Sequence, residues 1–392
     1  MDKREEFLRD QRICMNMNEE SEQFEGAVIP PTFGNTLFTF KDFESLIDAE
    51  KSQQTKYVYC RGTNPTVEAA EKKLAALERG EVCKCFSSGM AAISASLTAS
   101  VKTGDHVLCI SHLYTSTMDL LKYLSKFGVE HSVVYSIDLE DIEAAIMDHT
   151  TVIYIENPTD TYLRIIDIKA VSALARSKGI RTILDNSWAT PLFQKPLTHG
   201  IDIVVHSASK YLGGHSDLLG GALITSREIM DSIFKKEYLL MGGALGPYAA
   251  ALLLRGLRSL PLRMLGHQEN AKKVAGYLAS HPEVAAVHYP GLPSHPDYEK
   301  ASMFLTGFSG LMSIELKNES FEQVKKVINA FSVFQIGVSW GSYESLVLSP
   351  NYGYNVEKLK QERISPGIIR LSVGLEHEDF LINDLHQALQ ES

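Results

Sequence analysis

Between about Tyr59 and Arg255 the chain repeats one pattern: a short unbroken apolar run, then a stretch with helical spacing. The runs His106–Ile110, His131–Tyr135, Thr151–Glu156, Ile180–Asp185, Ile203–His206 and Gly220–Thr225 are rich in β-branched residues and do not alternate with polar ones. A strand that is apolar on both faces must be covered on both, and a mostly parallel sheet between two layers of helices does this. The spacing predicts helices near 114–127, 138–147 and 168–178. The last has Asp167 ahead of it and Gly179 behind it, good start and stop signals. An α/β fold of this kind places its binding crevice at the carboxyl ends of the strands.

Residues 247–279 read as one long helical stretch marked by Pro261. Beyond it the pattern becomes α+β, with strands predicted near 309–316 and 367–372 and helices near 320–331 and 378–390. The first 60 residues read as irregular and polar, with a proline pair at Pro30 and Pro31. The expected organisation is an N-terminal arm (1–60), a large domain (61–255) and a smaller C-terminal domain (256–392), in keeping with 392 residues.

A formal charge of −10 argues against a nucleic-acid or anionic-membrane surface, which needs clustered basic residues. The longest apolar stretches, such as Tyr248 to Leu254, are far shorter than a membrane span. The first 25 residues mix acids and bases without an apolar core, so no export signal is expected there. Five cysteines fit a reducing cytoplasm. Cys83 and Cys85 form C-x-C in an apparent strand with no further ligands at suitable spacing, and the 13 histidines include no H-E-x-x-H, so no metal site is expected.

The sharpest chemical signal is Ser207-Ala208-Ser209-Lys210, directly after the strand IVVH. A lysine there can face solvent, belong to a serine acyl-transfer S-x-x-K, or carry pyridoxal phosphate (PLP). The second reading fails for want of S-D-N, and because Lys102-Thr103-Gly104 lies on the wrong side of the motif. PLP needs an acid beside its ring nitrogen, a phosphate cradle and usually a stacked ring. Asp185 ends the strand RTILD at the crevice edge, where a turn or cap role is the bland alternative. Ser87-Ser88-Gly89-Met90 joins a strand to a helix whose first amides would suit a phosphate. Ser207 and Ser209 could add hydroxyls, and Tyr114 starts a helix on the crevice side. No G-x-G-x-x-G follows a strand and no P-loop occurs, so dinucleotide and nucleoside-triphosphate sites are not supported.

In order along the chain, these residues resemble the Cys/Met-metabolism family of PLP enzymes, the trans-sulfuration enzymes. The landmarks are GAVIPPTF from Gly26, YCRGTNPT from Tyr59, LAALERGE from Leu74, SSGMAAI from Ser87, GDH from Gly104, DNSWATPLFQKPL from Asp185, HSASKYLGGHSD from His206, LRGLRSLPLR from Leu254, YPGLPSHP from Tyr289, WGSYESL from Trp340 and IRLSVGLE from Ile369. The resemblance implies a fold-type-I PLP-dependent enzyme, typically a homotetramer built as a dimer of dimers with shared sites, acting on a small sulfur amino acid. It makes Lys210 the Schiff-base lysine, Asp185 the ring-nitrogen partner and Tyr114 the stacking ring. Gly89, Met90, Ser207 and Ser209 become the phosphate cradle, with Tyr59 and Arg61 reaching the neighbouring subunit's phosphate. Arg370 with Ser339 becomes the clamp for the substrate carboxylate, a role suited to arginine's planar fork.

Several positions depart from the family pattern. Tyr114-Thr115-Ser116-Thr117 replaces Tyr-Gly-Gly-Thr, Asp160 replaces an asparagine, and Gly341-Ser342-Tyr343 precedes Glu344 where a Gly-Gly pair is usual. Val338 stands where γ-acting members commonly carry glutamate, and Val338-Ser339-Trp340, like Trp188, resembles the bacterial cystathionine β-lyases. The expected reaction is therefore α,β-elimination of cystathionine or a related thioether to pyruvate, ammonia and a thiol, with Lys210 as base and Trp340 against the substrate. The alternative is γ-elimination or γ-replacement. A PLP-holding protein with little turnover is a third reading, which the complete set of proton-transfer residues disfavours.

Overall fold

The computed structural model describes residues 2–15 and 21–390. Seven strands form the larger sheet: β1 (Val82–Phe86), β2 (His106–Ile110), β3 (Glu130–Val134), β4 (Thr150–Glu156), β5 (Arg181–Asp185), β6 (Ile203–Ser207) and β7 (Gly221–Thr225). Their spatial order is β1-β7-β6-β5-β4-β2-β3, and β7 alone runs against its neighbours. Residues of β2, β4, β5 and β6 are almost all buried, and they divide between two apolar clusters, one on each face. This is the physical content of the unbroken apolar runs: helices cover both sides.

A second sheet holds β8 (Val284–His288), β9 (Leu311–Leu316), β10 (Gln335–Ile336), β11 (Leu346–Leu348) and β12 (Ile368–Ser372), in the order β10-β11-β12-β9-β8. The strands expected near 309–316 and 367–372 are β9 and β12. β10 and β11 are too short to stand out in the sequence, and β8, an apolar run of ordinary length, was missed.

One helix, Pro247–Ala279, passes through the boundary expected at 255/256 and touches both sheets' surroundings. Pro261 lies inside it. A mid-helix proline frees the carbonyl four residues before it, here that of Leu257; nearby Arg263 donates instead to the Gly256 carbonyl at 2.7 Å. Gly256 is where this helix meets the turn after Lys210: a Cβ there would lie 2.4 Å from the Gly213 carbonyl oxygen. Arg263 also donates to the Tyr211 carbonyl at 2.7 Å, so the helix braces the lysine-bearing turn twice.

The expectation of an irregular N-terminal segment needs correction. Lys3–Met15 and Phe43–Glu50 are helices. The first docks through Ile13, Cys14 and a fully buried Asp10, which pairs with Lys195 and Arg79, both at 2.6 Å. Its polar sequence hides the docking face, because one of the few buried positions is an acid whose partners lie far along the chain. Among the described residues, no helix is long and apolar enough to cross a membrane.

Candidate active site

Segments leaving the carboxyl ends of β1, β2, β4, β5 and β6 converge on a cavity of about 280 Å³, closed on its far side by residues 338–340 and by β12. Gly89, Met90, Tyr114, Asp185, Ser207, Ser209, Lys210, Ser339, Trp340 and Arg370 all line it. Tyr59 and Arg61 do not. Tyr59 is half exposed, and the Arg61 guanidinium lies 5.6 Å from its ring centroid, outside the cavity.

Lys210 follows the sharp turn after β6, and its Nζ donates to Ser339 Oγ at 2.7 Å. The ammonium also lies 5.2 Å from the Trp340 ring centroid. Burial brings the Lys210 amine down to about 8; the Arg370 charge adds to this and Asp185 opposes it. A neutral amine, able to act as nucleophile or base, is therefore accessible near neutral pH.

Asp185 and Glu156 end neighbouring parallel strands and are register partners. Both carboxyls are pushed upward, mainly by desolvation. Two acids so placed do not ionise together. Asp185 accepts the Ser187 N–H at 2.8 Å, and His206 and Lys210 further favour its charged form. Glu156 has the Tyr114 N–H at 2.8 Å as its one counteracting contact and is raised further by Asp185 and Asp160. Asp185 is thus the better carboxylate of the pair and Glu156 the better holder of a proton. Sequence reasoning passed over Glu156. Its signal was present, since an acid closes an otherwise apolar strand one position before a turn.

The opposite end of the cavity is a cradle. Ser88 caps the helix Gly89–Thr98, its Oγ accepting the Ala91 N–H at 3.1 Å. The first-turn amides of Gly89 and Met90 have no partner within the helix. A Cβ on Gly89 would lie 2.9 Å from Ser207 Cβ, so the bare backbone lets the helix end approach β6. Ser209 Oγ accepts the Gly220 N–H at 3.0 Å, which keeps the hydroxyl on the cavity wall.

Arg370, on β12, donates from Nη2 to the Val338 carbonyl at 3.0 Å. Burial lowers its guanidinium and the Asp160 charge opposes this. Asp160 itself lines the cavity, so the departure from asparagine puts an acid near the clamp. Trp188 also lines the cavity but is held as a packing residue: it is buried, and its Nε1 donates to the Leu311 carbonyl at 3.1 Å.

The model of the Cys/Met metabolism PLP-dependent enzyme family matches residues 11–390. The chain belongs to this family. It is 39% identical over 373 residues to an L-methionine gamma-lyase of Fusobacterium nucleatum, covering 93% of this chain and 94% of that protein. It is also 39% identical over 343 residues to a cystathionine gamma-lyase of Bacillus subtilis, covering 86% and 90%. The crystal structure of metB from Corynebacterium glutamicum superposes with a TM-score of 0.90 at 33% identity, covering 97% of both chains. The protein is thus a PLP-dependent enzyme of the trans-sulfuration C–S lyase and synthase group, with the fold expected from its sequence.

The residues present fit PLP. A cradle of free helix-end amides and two serine hydroxyls, brought together because Gly89 has no Cβ to strike Ser207, suits a phosphate. A favoured carboxylate at Asp185 suits a ring nitrogen that must stay protonated, and a desolvated lysine amine suits an aldehyde.

Proposed function

We propose that the protein cleaves the Cγ–S bond of a sulfur amino acid with an uncharged distal group, of the methionine class. With one water taken up, the products are 2-oxobutyrate, ammonia and a thiol. The observation that carries this reading is the substrate end of the cavity, where Val338, Trp340 and Leu219 stand beyond Lys210 and Arg370. Val338 and Leu219 offer nothing to a distal ammonium, Trp340 already faces the Lys210 ammonium, and all three accept an alkyl thioether. The names of the relatives at 38–39% identity, methionine and cystathionine gamma-lyases and cystathionine gamma-synthases, favour γ-chemistry as well.

Each residue has a task in this reading. Arg370 grips the substrate carboxylate with its fork. Lys210, as a neutral amine, takes the proton from Cα; once it has given that proton up again, the same amine can take one from Cβ, a second abstraction that β-elimination does not need. Ser339 Oγ accepts a hydrogen bond from Lys210 and sets the direction of the amine. Asp185 would hold the cofactor's ring nitrogen, Tyr114 its face, and Gly89, Met90, Ser207 and Ser209 its phosphate. When bound, PLP supplies the electron sink for the carbanion at Cα.

The sequence of Val338-Ser339-Trp340 favours a second reading, β-elimination of cystathionine. One assay separates the two. Purified protein is given methionine, cystathionine and cystine in turn, and 2-oxobutyrate and pyruvate are measured. The γ-reading expects 2-oxobutyrate to dominate, with methionine a better substrate than cystathionine. Dominant pyruvate from cystathionine would overturn it in favour of β-elimination.

The proposal extends to assembly. The segment 1–60, with Tyr59 and Arg61, serves as the arm that completes the neighbouring subunit's phosphate site in a homotetramer. The exposure of the Tyr59–Arg61 pair outside its own cavity supports this. Mixed dimers of Arg61→Ala and Lys210→Ala chains should recover part of the activity; none in verified mixed dimers would place both roles in one chain.

A further inference from the structure

Behind the cavity lie three buried side chains that the chemistry above does not use. Glu78 is the last residue of the helix Pro65–Glu78, Asn186 follows Asp185, and His206 precedes Ser207. Glu78 and Asn186 are 0% exposed and His206 is 1% exposed. One oxygen, Glu78 Oε1, meets both others: Asn186 Nδ2 donates to it at 2.7 Å, and His206 Nε2 lies 2.5 Å away. Successive side chains of a strand point to opposite faces, so His206 turns away from the side to which Ser207 presents its hydroxyl. Asn186 is also tied by its own backbone, its N–H donating to the Val205 carbonyl at 3.0 Å.

As a stabilising device this cluster is poorly built. Glu78 Oε2, Asn186 Oδ1 and His206 Nδ1 are buried with no hydrogen-bond partner from the protein. A buried carboxylate satisfied on one oxygen costs stability that a well-packed apolar trio would not. Unsatisfied buried groups in a folded protein call for a reason other than stability. Position supplies one. The two residues held are the chain neighbours of Asp185 and Ser207, on adjacent strands, at opposite ends of the cofactor site.

We propose that Glu78 is a positioning residue: through Asn186 and His206 it fixes the spacing between Asp185 and the Ser207–Lys210 turn, and so the fit of the cofactor. This rests on the assignment of Asp185 and Ser207 to the cofactor. The helix Pro65–Glu78 belongs to no wall of the cavity, so Glu78 acts only through the two residues it ties. His206 contributes in the same direction, since it favours the charged form of Asp185.

The test uses the full chain, purified with PLP and also stripped to apoprotein. Glu78→Gln keeps the volume and loses the charge. We expect PLP to bind the apoprotein about 10- to 100-fold more weakly, the range seen when outer-shell partners of a bound group are altered at metal sites. The visible band of bound PLP should shift, and kcat should fall with KM unchanged. His206→Gln, which can still donate to Oε1, should stay within about threefold of wild type in PLP affinity; His206→Leu, which cannot, should behave as Glu78→Gln does. A lowered melting temperature in Glu78→Gln and His206→Leu with unchanged PLP affinity and an unchanged band would overturn the proposal, leaving a purely structural cluster. Insoluble Glu78→Gln and His206→Leu beside a well-folded His206→Gln would overturn it too, because the tie would then hold the fold. Asp185→Ala is the control on the underlying reading: if that variant binds PLP as wild type does, the Asp185 assignment fails and this proposal with it.

Discussion

The two ends of the cavity are built differently. At the cofactor end the side chains sit at or just past the ends of strands in the seven-stranded sheet, and all but the half-exposed Tyr114 ring are close to their neighbours. Ser187 donates its N–H to Asp185 and accepts the Ser207 N–H through its Oγ, and Ser209 is bonded to Gly220. At the substrate end the lining comes from irregular chain. Val338 is 83% exposed and Leu219 72%, and Ser339 is met by Lys210 rather than by a strand partner. Arg370 on β12 and Leu311 at the start of β9 are the lining residues there that stand on strands. The rigid end can hold a group whose position must not vary. The looser end can change its side chains without disturbing the sheet, which is where specificity is expected to differ among relatives.

This contrast can be broken or sharpened by experiment. The largest effect is expected at the turn where the two ends meet. Lys210→Ala removes the amine proposed to bind cofactor and move protons, and kcat/KM should fall by about 10⁴-fold or more. Borohydride reduction and peptide mapping of wild-type protein should tag Lys210; a tag on another lysine would move the site. Arg370→Lys should come next. A lysine keeps the charge but loses the fork, so KM should rise about 10- to 100-fold while kcat stays within about threefold. Equal losses in kcat and kcat/KM would show that Arg370 acts on the transition state rather than on binding.

The third expectation concerns pH. Burial brings the Lys210 amine down to about 8, and the reactive form is the neutral one, present above that value. The rate at which apoprotein captures PLP should therefore rise about tenfold per pH unit below 8 and level off above it. A rise that continues towards pH 10 would show the amine to be as solvated as an ordinary lysine. The smallest effect is expected at the loose end. Val338→Glu should raise the preference for cystathionine over methionine by no more than about fivefold, because an exposed ion pair contributes roughly 0.2–1 kcal/mol. A larger change would mean that this segment closes over the substrate and buries the new charge.

Much of the rigid end was legible in the sequence. Lys210 and Asp185 each follow an unbroken apolar run, so the side of the sheet they occupy could be read before any contact was known. The substrate end was legible only through resemblance: by itself Arg370 is a charge on a strand, and Val338-Ser339-Trp340 suggested β-elimination where the relatives favour γ-chemistry. The departures at Thr115 and Ser116 lie in the first turn of the helix after Tyr114, whose start the spacing had already indicated.

The sequence by itself determined the layered fold and the crevice side and singled out Lys210 as the candidate cofactor lysine, because these follow from local periodicity and from residues next to strand ends. Only the tertiary structure decided which of two carboxyls has more groups favouring its charged form. That depends on the register of β4 against β5 and on groups brought in from elsewhere: the Tyr114 N–H for Glu156, and Ser187, His206 and Lys210 for Asp185. It also decided that Glu78 reaches across more than 100 residues of chain to hold Asn186 and His206, and that Asp10 buries the first helix against Lys195 and Arg79. A buried charge is tolerated only where its partner arrives, and no pattern along the chain records which distant residue that will be.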